Sequence, residues 1–255
     1  MPWIKDAAYS YDGSFDGLLT CVFESYERKE ELVAISSDGD PQYTLFGTRT
    51  VETSAEKAAR VYKAIGATIS PSAQELVRLG FLTCAPQKEL LIYRFLRLGF
   101  KRGGAVMNML TDDTVHRLRK AVQQLNSESR TLMGFLRFSV YGDVLVAEIE
   151  PKNHVLPTLA PHFCDRYRNE SFMIYDRTHG QALMYRPDAT HEQKVSIVDV
   201  EELILPETGE QEQAYRRLWK QFYHTAAIRE RINPRARMSH MPKRYWAHLT
   251  EMQQD

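Results

Sequence analysis

Residues 132–150 read LMGFLRFSVYGDVLVAEIE, and this stretch decides the fold class. Gly142 and Asp143 divide it into two strand-like halves, and a glycine–aspartate pair is typical of a tight turn between neighbouring strands. The sequence therefore predicts a hairpin with strands over 132–141 and 144–150. Downstream, it predicts a short helix over 158–167 and strands over 172–176, 181–186 and 195–200.

Upstream of this stretch, the apolar residues recur at helical spacing after a short strand over 7–11. Helices are predicted over 15–26, 53–65, 70–80, 88–98 and 111–126, with extended and loop structure over 32–51. Helices first, a sheet next and helices again indicate an α+β fold, in which a helical N-terminal half packs with an antiparallel sheet and C-terminal helices. We expect residues 1–130 to be the mainly helical part and residues 131–255 to hold the sheet, its crossing helix and the basic closing helices, all in one compact unit.

Several helix starts have recognisable capping residues. Thr53 and Glu56 have the spacing of a capping box, in which each side chain bonds a free amide of the first turn. Ser70 precedes Pro71, and proline is favoured at the first helical position because its missing amide has no partner there. Thr111 is the predicted N-cap of the helix that precedes residue 132.

The composition limits the range of functions. The chain of 255 residues has 33 basic and 33 acidic side chains, so its formal net charge is zero and any attraction for nucleic acid must be local. No N-terminal signal-peptide core and no apolar run long enough to cross a membrane is present, which predicts a cytoplasmic protein that does not enter a membrane. Cys21, Cys84 and Cys164 lie far apart, which favours reduced and mostly buried thiols.

The chain closes with a helix and a cationic segment. Tyr215, Leu218, Trp219 and Phe222 form an apolar stripe on one face of the predicted helix. Six cations follow, and a basic surface of this kind is the first sign of nucleic-acid binding. We therefore expect contacts to the DNA backbone from Arg229, Arg231, Arg235, Arg237, Lys243 and Arg244. Alternatively, such arginines cap helices, pair with acids elsewhere in the fold or lie on a solvated face.

Residues 162–180 hold the candidate catalytic side chains. His162 and Asp165 are three residues apart and share a helix face, and Asp176 lies at the end of the next predicted strand. A histidine and a carboxylate together serve as general acid and base, although most such pairs only hydrogen-bond. No second histidine or cysteine stands at metal-ligand spacing and no phosphate-loop frame is present, so we predict neither a metal nor a cofactor.

Three stretches together resemble a bacterial family of DNA-metabolism proteins whose mechanism is not established. They are YDGSFDGLLTCVFESY at 11–26, HFCDRY with FMIYDRTHGQALMY at 162–185, and FYHTAAIRERINPRARMSHMPKRYW at 222–246. Members of that family are typically encoded beside a radical S-adenosylmethionine protein related to spore photoproduct lyase. A similar module is fused to some proteins that are like uracil-DNA glycosylase.

The resemblance implies a DNA-associated accessory protein in DNA repair or modification that acts with the radical S-adenosylmethionine enzyme. The chain lacks the three-cysteine cluster that holds the iron–sulfur centre of such enzymes, so that chemistry would belong to the partner. Two alternatives remain open at this point. One is a metal-independent enzyme that acts on damaged DNA through His162, Asp165 and Asp176, and the other is a protein-interaction module that does not bind DNA.

Overall fold

The computed structural model describes residues 4–37, 48–190, 193–201, 203, 205, 209–226 and 233–253. Contacts divide the chain into two compact units, residues 1–125 and residues 126–255. Each unit has its own sheet, and both sheets are accompanied by helices. The predicted α+β class is confirmed.

The first unit contains a parallel sheet of three strands, in the order β2-β1-β3. The strands are β1 (Ile4–Tyr11), β2 (Glu30–Ser37) and β3 (Thr48–Thr50). Helix α1 (Phe15–Arg28) connects β1 to β2, as a parallel pair requires. The Ser14 hydroxyl accepts the Gly17 amide at 2.9 Å and starts this helix. Lys29, with φ of 58°, ends it in the left-handed region.

The remaining helices of the first unit surround a large apolar core. They are α2 (Ala55–Ala64), a π-helical turn (Ile65–Ile69), α3 (Pro71–Phe81), α4 (Lys88–Arg102) and a 3₁₀ helix (Gly103–Asn108), followed by the start of α5 (Asp113–Phe135). The core is made by α1, α3 and α4 together with β1, and Tyr9, Leu18, Phe95 and Leu96 are among its fully buried side chains.

The predicted helix starts have mixed outcomes. Ser70 caps α3 as expected, because its hydroxyl accepts the Ala73 amide at 3.1 Å. The capping box at Thr53 is wrong by one residue, since Ser54 caps α2 instead. The Thr53 hydroxyl is used elsewhere, where it donates to Asp12 at 2.8 Å.

The second unit contains a five-stranded sheet in the order β4-β5-β6-β7-β8. Its strands are β4 (Ser139–Tyr141), β5 (Val144–Ile149), β6 (Ser171–Asp176), β7 (Gln181–Tyr185) and β8 (Val195–Asp199). Three of the four strand pairs are antiparallel, as predicted. The β5–β6 pair is parallel, because helix α6 (Leu156–Arg166) crosses between the two strands.

Helix α5 is longer than its sequence pattern indicates. It was expected to end near Asn126, but it continues to Phe135 and includes residues predicted to begin a strand. Glu128 and Ser129 look like surface residues in the sequence, yet both are buried in this helix. Each has a polar partner in the second unit, and such partners allow a polar side chain to be buried.

The closing segment forms four short or medium helices in the described residues. They are α7 (Glu210–Ala226), α8 (Pro234–His240) and two 3₁₀ helices (Lys243–His248 and Thr250–Met252). Helix α7 packs against the last of them. Among the described residues, no helix combines the length and the apolar character that crossing a membrane requires. The three cysteines are free, with Cys21 buried, Cys164 partly exposed and Cys84 exposed.

Candidate nucleic-acid interface

The segment after α7 is anchored to the second unit by apolar side chains. Helix α8 begins where the Asn233 side chain accepts the Ala236 amide at 3.0 Å. Beyond this helix, Met241, Tyr245 and Leu249 are buried. This anchoring holds the backbone of the segment in place. The cations of the segment then differ in whether an acidic side chain pairs with them.

Arg244 forms an ion pair with the buried side chain of Glu128. Its Nη2 atom lies 3.0 Å from the Glu128 Oε1 atom, and the Glu128 side chain is only 3 % exposed. The same carboxylate accepts the backbone amides of Lys152 and Asn153, each at 3.0 Å, and the Asn153 side-chain amide at 2.6 Å. Arg244 also donates to the Tyr245 hydroxyl. One cation of the predicted DNA contact set therefore serves to attach the closing segment.

Arg235, Arg237 and Lys243 differ from Arg244. All three are exposed, and within the described ranges none of them has an acidic partner. The Arg237 guanidinium lies 5.1 Å from the centre of the Trp246 ring, and the Lys243 ammonium lies 5.9 Å from it. We call these three residues the cationic surface. The other two predicted contacts, Arg229 and Arg231, lie outside the described residues.

Trp246 organises two members of the cationic surface. Its ring is of intermediate exposure, and its Nε1 atom donates to the Met241 carbonyl at 3.0 Å. A tryptophan ring attracts cations to its face and restricts their motion. Arg237 and Lys243 are thus held beside one fixed ring, with their charges still in solvent.

Helix α7 presents its apolar stripe to solvent. The sequence indicates an amphipathic helix, and the structure confirms the helix but leaves most of that face exposed. The exposed fractions are 59 % for Tyr215, 65 % for Leu218, 39 % for Trp219 and 61 % for Phe222. A contiguous exposed apolar surface of this kind is a common sign of a binding site.

Trp219 is the least exposed of the four side chains of this face. Its Nε1 atom donates to a Glu251 carboxylate oxygen at 2.9 Å, and the Arg137 guanidinium lies 5.6 Å from its ring centre. Arg137 in turn is 2.9 Å from the other Glu251 oxygen. The Phe222 ring lies 5.8 Å from Trp219, tilted by 32°. Glu251 thus holds both Arg137 and the indole in place.

A groove of about 730 Å³ runs beside α7 and is formed entirely by the second unit. Five of its fifteen lining residues are aromatic, and they are Phe138, Phe163, Tyr167, Tyr215 and Trp219. Its charged lining consists of Arg137, Arg166, Arg216 and the single acid Glu212. We call this feature the α7 groove. Its lining therefore has more positive than negative charge.

A smaller cleft of about 260 Å³ shares Arg137 and Arg216 with the α7 groove. It differs in charge, because two acids, Glu148 and Glu150, are part of its lining. Arg177 is 3.2 Å from Glu148. Acids in this position repel phosphate, so the α7 groove suits an anionic ligand better than this cleft does.

The three predicted catalytic residues are in different environments. His162 makes an edge contact with the neighbouring Phe163 ring at 4.9 Å. Asp165 is exposed and pairs with Arg168 at 2.6 Å. Asp176 is fully buried. Among the described side chains, no hydrogen bond or ion pair joins any two of the three, so they do not form one hydrogen-bonded group.

The histidine–carboxylate pair that does exist joins Asp176 to His179. The Asp176 Oδ2 atom lies 2.6 Å from His179 Nδ1, while its Oδ1 atom accepts the amides of Thr178 and His179. These bonds close the turn between β6 and β7, which Gly180 completes with φ of 62°. The i and i+3 spacing of Asp176 and His179 is visible in the sequence, between the end of the predicted strand over 172–176 and the start of the one over 181–186. The contribution of the pair to this turn is enough to explain why the two residues are bonded.

Within the part of the chain that the structure describes, no group of three or more histidines, cysteines, aspartates or glutamates is arranged to hold a metal ion. Cys21 lies in the first unit's core, where burial raises the pKa of its thiol to about 12. That thiol is therefore protonated at neutral pH and is a poor nucleophile.

Comparison with known proteins adds a family assignment. No curated protein matches the chain. The model of one protein family, described as DUF4130, a domain of unknown function, matches residues 86–251. The match includes α4, all five strands of the second sheet, α7 and the cationic surface, and it spans more than half of the chain. The chain therefore belongs to the DUF4130 family.

Proposed function

We propose that this protein binds DNA through the cationic surface and acts as an accessory protein in DNA repair or modification, beside a radical S-adenosylmethionine enzyme. DNA binding is supported by one observation. Arg235, Arg237 and Lys243 are exposed and have no acidic partner among the described residues. The enzyme partner is supported by the resemblance of the three sequence stretches.

The pairing state of an arginine determines what it contributes to DNA binding. A guanidinium that is already paired must share or break that bond before it can hold a phosphate, so Arg244 is expected to contribute little. An exposed unpaired cation only displaces counterions from the DNA, which favours binding. Arg237 and Lys243 are also held beside Trp246, so less side-chain freedom is lost on binding.

The zero net charge limits the strength of this interaction. With 33 basic and 33 acidic side chains, the protein as a whole does not attract DNA, and binding depends on the local surface. We therefore expect dissociation constants in the range of about 1–100 μM at physiological salt, as for other sequence-independent contacts.

The test compares two variants with the same change in net charge. The first replaces Arg235, Arg237 and Lys243 by alanine. The second replaces three exposed arginines that each have an acidic partner, Arg78, Arg117 and Arg168. Fluorescence anisotropy with labelled DNA at several salt concentrations gives the affinity and its salt dependence.

We expect the first variant to bind more weakly and to lower the slope of log K against log salt by about 2 to 3, since each lost phosphate contact lowers it by about 0.9. The second variant should bind as the parent does. Equal losses in the two variants would show that only overall charge matters and would overturn the assignment to this surface. A parent protein that binds no DNA would overturn the proposal itself.

The partner part is tested separately by mixing the purified protein with a radical S-adenosylmethionine enzyme of the kind typically encoded beside members of the family that it resembles. Analytical size-exclusion chromatography should show a common peak. Separate elution with and without DNA would remove the partner from the proposal and leave DNA binding unaffected.

A further inference from the structure

We propose that the α7 groove binds unpaired nucleobases, so that the preferred ligand is single-stranded rather than duplex DNA. This inference rests on the proposed DNA binding and specifies the form of the ligand. It is carried by the α7 groove and the exposed face of α7, which are separate from the cationic surface.

The exposed face of α7 has the side chains that stack with bases. Tyr215, Trp219 and Phe222 follow one another at four-residue and three-residue spacing, so all three rings project from one side of the helix. The groove continues this aromatic surface through Phe138 and Tyr167, whose rings are 5.0 Å apart. Sequence-tolerant single-strand binding combines such aromatic rings with a positively charged groove.

The charges of the groove fit a nucleic-acid backbone. Arg166 is exposed and lies 5.8 Å from the Tyr167 ring centre. Arg216 donates to Glu212 at 2.9 Å and to the Ser139 hydroxyl at 2.6 Å, which holds its guanidinium at the groove. Arg137 and Arg216 are already paired with Glu251 and Glu212, whereas Arg166 has no acidic partner among the described residues and is the lining cation most available to a phosphate. A partner protein would need acidic side chains between apolar ones to match this pattern, whereas a single strand supplies phosphates and flat rings at regular intervals.

The size of the groove indicates unpaired bases. A volume of about 730 Å³ lies within the range of roughly 300–1,000 Å³ that encloses a small organic ligand. Such a site admits individual bases but not a double helix. In a duplex the base faces are already stacked on one another, so protein rings reach them only after strand separation or base extrusion.

The geometry is set before the ligand arrives. The hydrogen bond from Trp219 to Glu251 and the position of Arg137 over the indole fix one ring of the stacking face. A ring that is already ordered loses little conformational freedom on binding.

The experiment uses a variant that keeps the apolar surface and removes only aromatic rings, Tyr215→Leu with Phe222→Leu. Both side chains are mostly exposed, so the fold does not depend on them. The conservative variant, Tyr215→Phe with Phe222→Tyr, keeps the rings and is the matched control. Anisotropy is measured with a thymidine oligomer of about 15 nucleotides and with a duplex of the same length, and light scattering gives the oligomeric state.

We expect the parent to bind the single strand at least tenfold more tightly than the duplex. The leucine variant should lose about tenfold or more for the single strand with an unchanged salt slope, since stacking is worth about 1–3 kcal/mol per base. Its duplex affinity should be unchanged, and the ring-preserving control should bind as the parent does.

Each contrary result has a distinct meaning. If the parent binds duplex and single strand equally and the leucine variant is unaffected, the inference is wrong and the cationic surface remains the DNA site. If the parent is a dimer that the leucine variant converts to a monomer, the face of α7 is a self-association surface and the inference is wrong. If the parent binds neither DNA, the proposed function itself fails.

Discussion

Arg244 and Glu128 form an ion pair with 3.0 Å between the Nη2 and Oε1 atoms. Glu128 lies in α5, whereas Arg244 belongs to the last short helices of the chain. The carboxylate also accepts two backbone amides from the loop after β5, those of Lys152 and Asn153. A single buried side chain therefore fastens a helix, a loop and the closing segment of the second unit together.

Replacement of Glu128 by alanine should destabilise the second unit strongly. The change leaves two amides and a guanidinium without their acceptor, which costs about 3 kcal/mol or more. Arg244→Ala should cost less, roughly 1–2 kcal/mol, because the arginine side chain is 39 % exposed and water replaces part of the interaction.

Urea unfolding measures both values. Arg168→Ala is the control, since its partner Asp165 is exposed and the pair lies on the surface. That change should stay within about 0.5 kcal/mol of the parent. Midpoints that are the same for Glu128→Ala and the control would contradict the structural role of this carboxylate.

Glu251 should make the second unit sensitive to acid. Its side chain is 4 % exposed. Burial acts to raise the pKa of Glu251, but hydrogen bonds from its backbone, Trp219 and Arg137 outweigh that effect and hold the pKa below its ordinary value of 4.5. Because the folded pKa is lower than the unfolded one, Glu251 contributes stability that is fully present above pH 4.5. That stability is lost as the pH falls through the lowered pKa.

The test compares the parent with Glu251→Gln in urea, from about pH 7 down to about pH 3. The variant should be less stable at neutral pH, and the difference should shrink as the pH falls below 4.5. Tryptophan fluorescence follows unfolding, and its signal from Trp219 should also differ because the indole loses its carboxylate partner. A difference that is constant over the whole range would contradict the assigned pKa shift.

Gly17 should be intolerant of a side chain. A Cβ atom there would lie 2.3 Å from Asp12 Oδ1 and 2.8 Å from the Thr53 hydroxyl. Asp12 is held by the Ser14 hydroxyl and amide and by Thr53, and these bonds lower the pKa of its carboxyl. Gly17→Ala must displace this bonded group, and we expect a loss of about 1–3 kcal/mol.

Gly134→Ala is the matched control, since both glycines lie in helices and Gly134 has no atom within 4 Å of the added carbon. Alanine is favoured over glycine in a helix by roughly 0.5–1 kcal/mol, so the control should be neutral or stabilising. Thermal unfolding of the two variants should therefore shift in opposite directions. A shift of Gly17→Ala to higher temperature would refute the tight packing at Asp12.

Much of the fold was predictable because local chemistry determines it. The turn at Gly142 requires a positive φ, and the residues on either side form β4 and β5. Ser70 and Pro71 start α3. The Ser70 side chain caps the helix and the Pro71 ring fits its first turn, and neither effect depends on another part of the chain. Capping at Thr53 failed for the opposite reason, since a distant aspartate takes its hydroxyl.

The same distinction applies to polar residues in α5. The helix is expected to end near Asn126, and the charged Glu128 two residues later looks like a surface residue in the sequence. Its burial depends on amides contributed by the loop after β5, which no helical periodicity reveals. Long-range partners of this kind decide where the helix ends.

The sequence predicts which residues belong to the candidate site, but it does not predict which of its cations are paired with acidic side chains. The sequence locates the closing cations, yet only the structure separates Arg244, which has an internal acid, from Arg235 and Arg237, which have none among the described residues. Likewise, the spacing of Tyr215 and Trp219 predicts an amphipathic helix. It does not indicate whether another element covers that face, and the covering depends on tertiary packing.

The first strand of the chain is the middle strand of its sheet. Both of its neighbours, β2 and β3, come later in the sequence, so at least one edge of β1 stays open until residue 50 has left the ribosome. Loss of residues 4–11 by proteolysis would not trim this sheet at its border. It would leave two strands that share no hydrogen bonds with each other, and an intact amino-terminal end is thus a condition for the first unit to hold together.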